Sequence, residues 1–242
     1  MRNREVFSNL ITVPPVFIRI DGRSFHRLAK CWNLEQPFDP EFSKIMAEVG
    51  RRLVTESGLS PEFAYTFSDE INLYFSDLPF KGRVEKIDSV AASFAASCLV
   101  IGMGSAYPVS FDARIIQVTP DLALEYLINR QSEAWRNHLN SYCQNELISS
   151  GISRREAARH LKGMPSKEMH EMMFKAGVNL SKTPVWQRRG VLVYKRKKTV
   201  KGFNPKIGTM TDTIRTSVVI ERDLPQFTSP EGRSLLTGLL DL

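Results

Sequence analysis

Four short β-rich runs with two amphipathic helical stretches set among them predict an α/β protein of the α+β kind, built on a ferredoxin-like β-α-β-β-α-β core. Two of those runs end at or next to an aspartate, Asp21 and Asp69. A third observation sets the second half apart: it is mostly helical and carries a basic segment flanked by two further β-rich runs. The expected division is therefore a core over residues 1–120 and a helical region with a basic hairpin arm over residues 121–242.

Residues 16–20, Val-Phe-Ile-Arg-Ile, form the first strand, which stops at Asp21-Gly22. Asp39-Pro40 opens a helix, with Asp39 as N-cap and Pro40 at the first helical position. Phe42, Ile45, Met46, Val49 and Leu53 give it an apolar stripe, and Gly58 ends it. Residues 63–67 and 71–75 read as two strands joined by a tight Ser68-Asp69-Glu70 connection. A second helix sets Val84, Ile87, Ala91, Phe94 and Cys98 on one face. Residues 111–118 make the last strand, before Pro120. Right-handed crossovers make the first two strands parallel, with the third antiparallel between them. Asp21 and Asp69 then meet at one sheet edge despite their separation in sequence.

Residues 122–148 read as one long helix or two. Ser153-x-x-Glu156 is a capping box that opens a short helix stopping near Gly163. Ser166 begins another, ending near Gly177. Residues 191–194 and 214–220 look like strands on either side of the basic segment.

Charge is unevenly placed. The net charge is +7, yet no acidic residue lies between Glu171 and Asp212, where ten basic ones fall: Lys175, Lys182, Arg188, Arg189, Lys195, Arg196, Lys197, Lys198, Lys201 and Lys206. Without these ten the chain would carry −3. A cationic segment of this kind is either a solvated arm or the footprint of a polyanion. Interleaved Trp186, Tyr194 and Phe203 favour nucleic acid, since aromatic rings stack on unpaired bases. The apolar run over residues 90–104 is interrupted by Ser93 and Ser97 and reads as too short to span a membrane. Met1-Arg2-Asn3-Arg4 is followed by no secretory apolar core. Cys31, Cys98 and Cys143 are too widely spaced for a disulfide framework or a zinc site, and a reduced, cytoplasmic protein is expected.

Two carboxylates at one edge of a sheet are the minimum for two-metal nucleotidyl transfer, with Mg²⁺ the ion that suits carboxylate, water and phosphate oxygens. Gly22 lets a metal or phosphate approach the backbone. Ser24-Phe25-His26 could start a helical turn whose N–H groups face a triphosphate. The alternative is plain turn chemistry, because Asp-Gly after a strand and Ser-Asp-Glu in a hairpin are both common. The residues by themselves reach only a palm-like fold with nucleotidyl transfer as one of its uses.

The segments FIRIDGRSFHRL (residues 17–28) and YTFSDEINLYF (residues 65–75) closely resemble signatures of the tRNA-His guanylyltransferase family. The resemblance continues through SFDARIIQV (110–118), RQSEAWRNHLNSYC (130–143), LKG (161–163) and VWQRRG (185–190), in the family's order and over most of the chain. It implies a polymerase-like palm working in the 3′-to-5′ direction. A tRNA 5′-phosphate is activated with ATP or GTP, and the 3′-hydroxyl of an incoming nucleotide attacks it. By position, Asp21, Asp69 and the Gly22 carbonyl would hold two Mg²⁺ ions, with Glu70 in support. Arg23, Phe25, His26 and Ser68 would surround the nucleoside triphosphate, and Arg83 and Lys86 would reach its phosphates. Arg130, Asn137, Arg188, Arg189, Arg196, Lys197 and Lys198 are the expected tRNA contacts, although Arg130 could instead pair with Glu133 on its own helix. A homo-oligomer, dimer or tetramer, is also implied.

The chain departs from eukaryotic members in two places. Trp135-Arg136-Asn137-His138 stands where they carry His-Ile-Asn-Asn, and Phe67 stands where they carry Gln. Both departures resemble the archaeal and bacterial branch, which implies template-dependent repair of 5′-truncated tRNA as well as, or instead of, tRNA-His maturation. A strict tRNA-His guanylyltransferase, a nucleotide cyclase on the same palm, and an RNA-binding protein without catalysis are the competing expectations.

Overall fold

The computed structural model describes residues 4–204 and 208–242. Met1, Arg2, Asn3 and Lys206, all named above, and the side chain of Phe203 lie outside the described residues. Strands β1 (Val16–Gly22), β2 (Phe63–Phe67), β3 (Glu70–Phe75) and β4 (Phe111–Gln117) stand in the spatial order β4-β1-β3-β2. Both β1 and β2 run antiparallel to β3, so they are parallel to each other with β3 between them. This is the predicted ferredoxin-like arrangement.

The sheet does not stop there. Strand β5 (Val191–Asn204) pairs antiparallel with β2, and β6 (Thr209–Glu221) pairs with β5, giving six strands in one sheet. The basic arm is thus the outer continuation of the core sheet. Its root is apolar, with Val191, Leu192 and Val193 buried, and its outer part is exposed and cationic.

Alternation along the strands sorts side chains between the two faces. Val16, Ile18 and Ile20 of β1 pack with α2 (Pro40–Thr55) and α3 (Val84–Met103) on one face. Phe17 of β1 with Phe63, Tyr65 and Phe67 of β2 packs against α4 (Pro120–Ser149) and α8 (Pro230–Leu240) on the other. The side chain of Asp39 accepts the Phe42 N–H at 2.8 Å and caps α2 as expected. Helix α4 is one element of 30 residues. Its far half packs with α5 (Arg154–Leu161) and α6 (Ser166–Lys175) in a separate cluster around Leu139, Cys143, Leu161, Met169 and Met173. The Ser153–Glu156 capping box is present. Helices α7 (Val185–Arg189) and α8 are absent from the sequence reading, and α1 (Phe25–Cys31) shows there only as a turn at its start; α1 and α7 are too short to show a period.

The helix that carries the apolar run is longer than the run itself. Helix α3 covers 20 residues and is long and apolar enough, by length and composition, to cross a membrane. Its Ile87, Ala91, Ala95, Cys98 and Leu99 are core residues packed beneath the sheet.

Candidate nucleotidyl-transfer site

Strand β1 delivers Asp21 to the sheet edge where β2 turns into β3 through Ser68 and Asp69. Asp21 lies opposite Glu70 on one side and Asp112 of β4 on the other. Gly22 brings the two acidic segments together. A Cβ built on it would stand 2.6 Å from Asp69 Oδ2 and 2.5 Å from the Phe25 ring. No side chain fits there, so the Asp69 carboxylate folds over the Gly22 backbone with Phe25 closing the other flank. Ser68, at φ 51°, takes the left-handed conformation that the two-residue turn imposes, and its hydroxyl donates to Asp69 Oδ1 at 3.0 Å.

Burial pushes the Asp69 carboxyl up to about 6, with the charges of Asp21 and Glu70 adding to the rise and the Ser68 hydroxyl opposing it. A carboxylate in such a place favours a cation to offset both burial and like charge. The available donors are hard oxygens from two carboxylates and a backbone carbonyl freed of side-chain cover, which suits Mg²⁺ rather than a softer metal. Among the described residues no group of three or more His, Cys, Asp or Glu side chains gathers around one point. A cation at Asp21 and Asp69 would complete its shell from water and phosphate oxygens.

Behind the edge lies a buried polar network. Glu70 leaves the hairpin turn and joins it: Arg130 Nη1 donates to Glu70 Oε2 at 3.0 Å and Oε1 at 3.2 Å, and Asn72 Nδ2 donates to Oε1 at 2.8 Å. The Tyr126 hydroxyl donates to Asn72 Oδ1 at 2.6 Å. Burial raises the Glu70 carboxyl, and the Asn72 hydrogen bond with the charges of Arg130 and Arg19 pulls it back. Arg130 therefore pairs across 60 residues with Glu70 rather than with Glu133, and both side chains are largely buried at 16% and 11% exposure. This corrects its assignment as a tRNA contact: the guanidinium points into the sheet, while Arg136 takes Glu133 at 3.7 Å.

A cleft of about 590 Å³ opens beside Asp69. Phe25, His26, Ser68 and Asn137 line it with Asp69, so four of the expected contacts do converge. Arg23 is exposed at the end of β1, its N–H donating to Ser110 O at 2.9 Å. Helix α1 starts at Phe25, where the sequence places a helical turn, with Ser24 in a left-handed conformation and no side-chain cap. Arg83 and Lys86 do not join the cluster. Strand β3 runs away from the aspartates and ends opposite Val16, so α3 begins at the other edge of the sheet, where Arg83 bridges to Ile11. The 20 residues of α3 span about 30 Å, too far for a triphosphate held at Asp69 of the same chain to reach them.

The remaining expected contacts divide. Arg188 Nε donates to Thr183 O at 3.0 Å and Arg189 Nη1 to Leu224 O at 2.7 Å, so both hold neighbouring chain at the root of β5. Arg196, Lys197 and Lys198 are exposed on the arm. Trp186 belongs to α7 and lines the cleft, with the Arg222 guanidinium 5.0 Å from its ring centre. In the divergent stretch, Asn137 faces the cleft whereas His138 is fully buried between Trp135, Phe38 and Tyr142. Burial lowers His138 to about 4, leaving it neutral, and its Nε2 meets Thr183 Oγ1 at 2.9 Å. Arg154, the first residue of α5, also lines the cleft and was missed, because nothing local shows which way a short capped helix faces.

Residues 1–119 match the family model described as tRNAHis guanylyltransferase. The tRNA(His) guanylyltransferase 2 of Arabidopsis thaliana is 30% identical over 220 residues, covering 84% of this chain. The chain spans only 40% of that relative's length. A structure of a bacterial tRNA(His) guanylyltransferase-like protein in complex with ATP shares the fold, with TM-score 0.76, 23% identity and coverage of 96% of this chain and 93% of that one. A GTP complex of a bacterial protein so described aligns with TM-score 0.71 and 22% identity over 96% of this chain and 92% of that one.

Proposed function

Since residues 1–119 belong to the tRNA-His guanylyltransferase family, we propose that this chain is a nucleotidyltransferase that adds nucleotides to the 5′ end of tRNA in the 3′-to-5′ direction, directed by the opposite strand. The observation that carries this reading is the approach of the Asp69 carboxylate to Gly22, next to Asp21, at the edge of an open cleft.

In this reading Asp21, Asp69 and the Gly22 carbonyl hold Mg²⁺. When bound, two such ions lower the pKa of the attacking hydroxyl and offset charge on the leaving oxygen. The chain's own residues do the positioning. Phe25 and His26 line the cleft on one side and Ser68 on the other, which gives a nucleotide a ring to pack on and hydroxyl and imidazole groups to bond. Arg23, exposed at the same strand end, supplies a cation for phosphate. ATP or GTP activates the tRNA 5′-phosphate by forming a phosphoanhydride with release of pyrophosphate. The 3′-hydroxyl of the incoming nucleoside triphosphate then attacks that phosphate and expels the nucleoside monophosphate. Arg196, Lys197 and Lys198 on the arm hold the tRNA backbone through charge.

The test uses a tRNA lacking its first 5′ nucleotide and labelled near that end, incubated with Mg²⁺ and all four nucleoside triphosphates. Growth by the base complementary to the opposite strand is expected, and replacing that opposite base should change the nucleotide added. Absence of growth from both monophosphorylated and triphosphorylated ends would overturn the proposal.

A further inference from the structure

Helix α5 carries a second basic surface, separate from the hairpin arm. Ala157 and Leu161 are its buried residues, which fixes its orientation on α4. Arg155, Ala158 and Arg159 recur at the spacing of one helical face and are all exposed. Arg154 lies between that face and the packed side, and it lines the cleft that also contains Ser68 and Asp69. The three arginines thus run without a break from inside the cleft to the outer surface.

Their charge is free for a partner. None of Arg154, Arg155 and Arg159 is within ion-pair distance of a carboxylate among the described residues. The one acidic residue of α5, Glu156, is turned back on the helix start, accepting from the Ser153 N–H at 3.3 Å. Arg155 and Arg159 are one turn apart, about 6 Å along the axis. Between them Ala158 adds almost no bulk, so a strand can lie close to the helix. Exposed arginines without carboxylate partners, leading out of a cleft that holds the candidate reacting edge, fit a phosphodiester backbone.

We propose that α5 is an RNA-binding element that grips the tRNA strand next to the reacting 5′ end, with Arg154 inside the cleft and Arg155 and Arg159 on successive phosphates outside it. The inference rests on the proposed function and adds to it a contact near the active edge, where the hairpin arm supplies a more distant one. A stem carrying only the end of the tRNA should therefore depend on α5 as strongly as whole tRNA does.

The experiment measures binding of a whole tRNA and of a hairpin RNA containing only its acceptor stem, by fluorescence anisotropy across a salt series. The proteins are wild type, Arg155→Gln/Arg159→Gln, Arg155→Lys/Arg159→Lys and, as reference for the arm, Arg196→Gln/Lys197→Gln; each is checked by thermal melting. The α5 glutamine variant should bind both RNAs on the order of tenfold more weakly near 0.1 M salt. Its plot of log affinity against log salt should be shallower by about one unit per lost phosphate contact. The lysine variant should keep most of both properties. Wild-type affinity and slope in the glutamine variant, with wild-type protein still extending tRNA, would overturn the α5 proposal alone. Failure of wild-type protein to bind or extend tRNA would overturn the proposed function and this inference with it.

Discussion

At the scale of single residues, the site turns on an absence of atoms at Gly22. The Phe25 ring and the Asp69 carboxylate both occupy space that any side chain at this position would need. Gly22→Ala should therefore leave the sheet intact while forcing the carboxylate or the ring aside. Displacing a reacting group by about 1 Å costs on the order of 100-fold in rate. The expected result in the 5′-extension assay is a loss of that size with little change in melting temperature; near-wild-type activity would show that Asp69 need not sit over Gly22. This position was legible in the sequence, since Asp-Gly at a strand end and Ser-Asp in a hairpin are local patterns. Glu70 was only partly legible. Its neighbours in sequence suggest a helper of Asp69, but its partners, Arg130 and Asn72, are set by packing between distant elements.

At the scale of elements, the strand order places the carboxylates and also excludes Arg83 and Lys86. Once β3 is antiparallel to β1, its end and the start of α3 must lie at the edge opposite Asp21. That consequence follows from the predicted topology itself and could have been drawn from the sequence. The attachment of β5 to β2 could not, because alternation marks a strand without naming its neighbour. Helix α4 is fastened to the sheet by the Glu70–Arg130 pair, with Tyr126 and Asn72 beside it. Removing one member leaves the other charge buried. Arg130→Ala should lower unfolding stability by about 3–5 kcal/mol in denaturant titration. A solvated Arg130 devoted to tRNA would instead give a small stability change and a shallower salt dependence of binding.

At the scale of the whole molecule, one sheet links chemistry at its centre to charge at its margin. The hairpin arm extends the sheet beyond β2, α5 stands across the cleft, and Asp21 and Asp69 lie between them at the strand ends. The net charge of +7 is therefore organised around an acidic centre rather than spread evenly. The proposed chemistry depends most on that centre. The most direct test is 5′-extension of a truncated, 5′-labelled tRNA by Asp21→Ala and Asp69→Ala proteins shown by circular dichroism to be folded. Each substitution should cut nucleotide addition by at least about 1000-fold while tRNA binding persists at low salt. Nucleotide addition at the wild-type rate by either folded variant would contradict the assignment of these two carboxylates as the metal-holding pair.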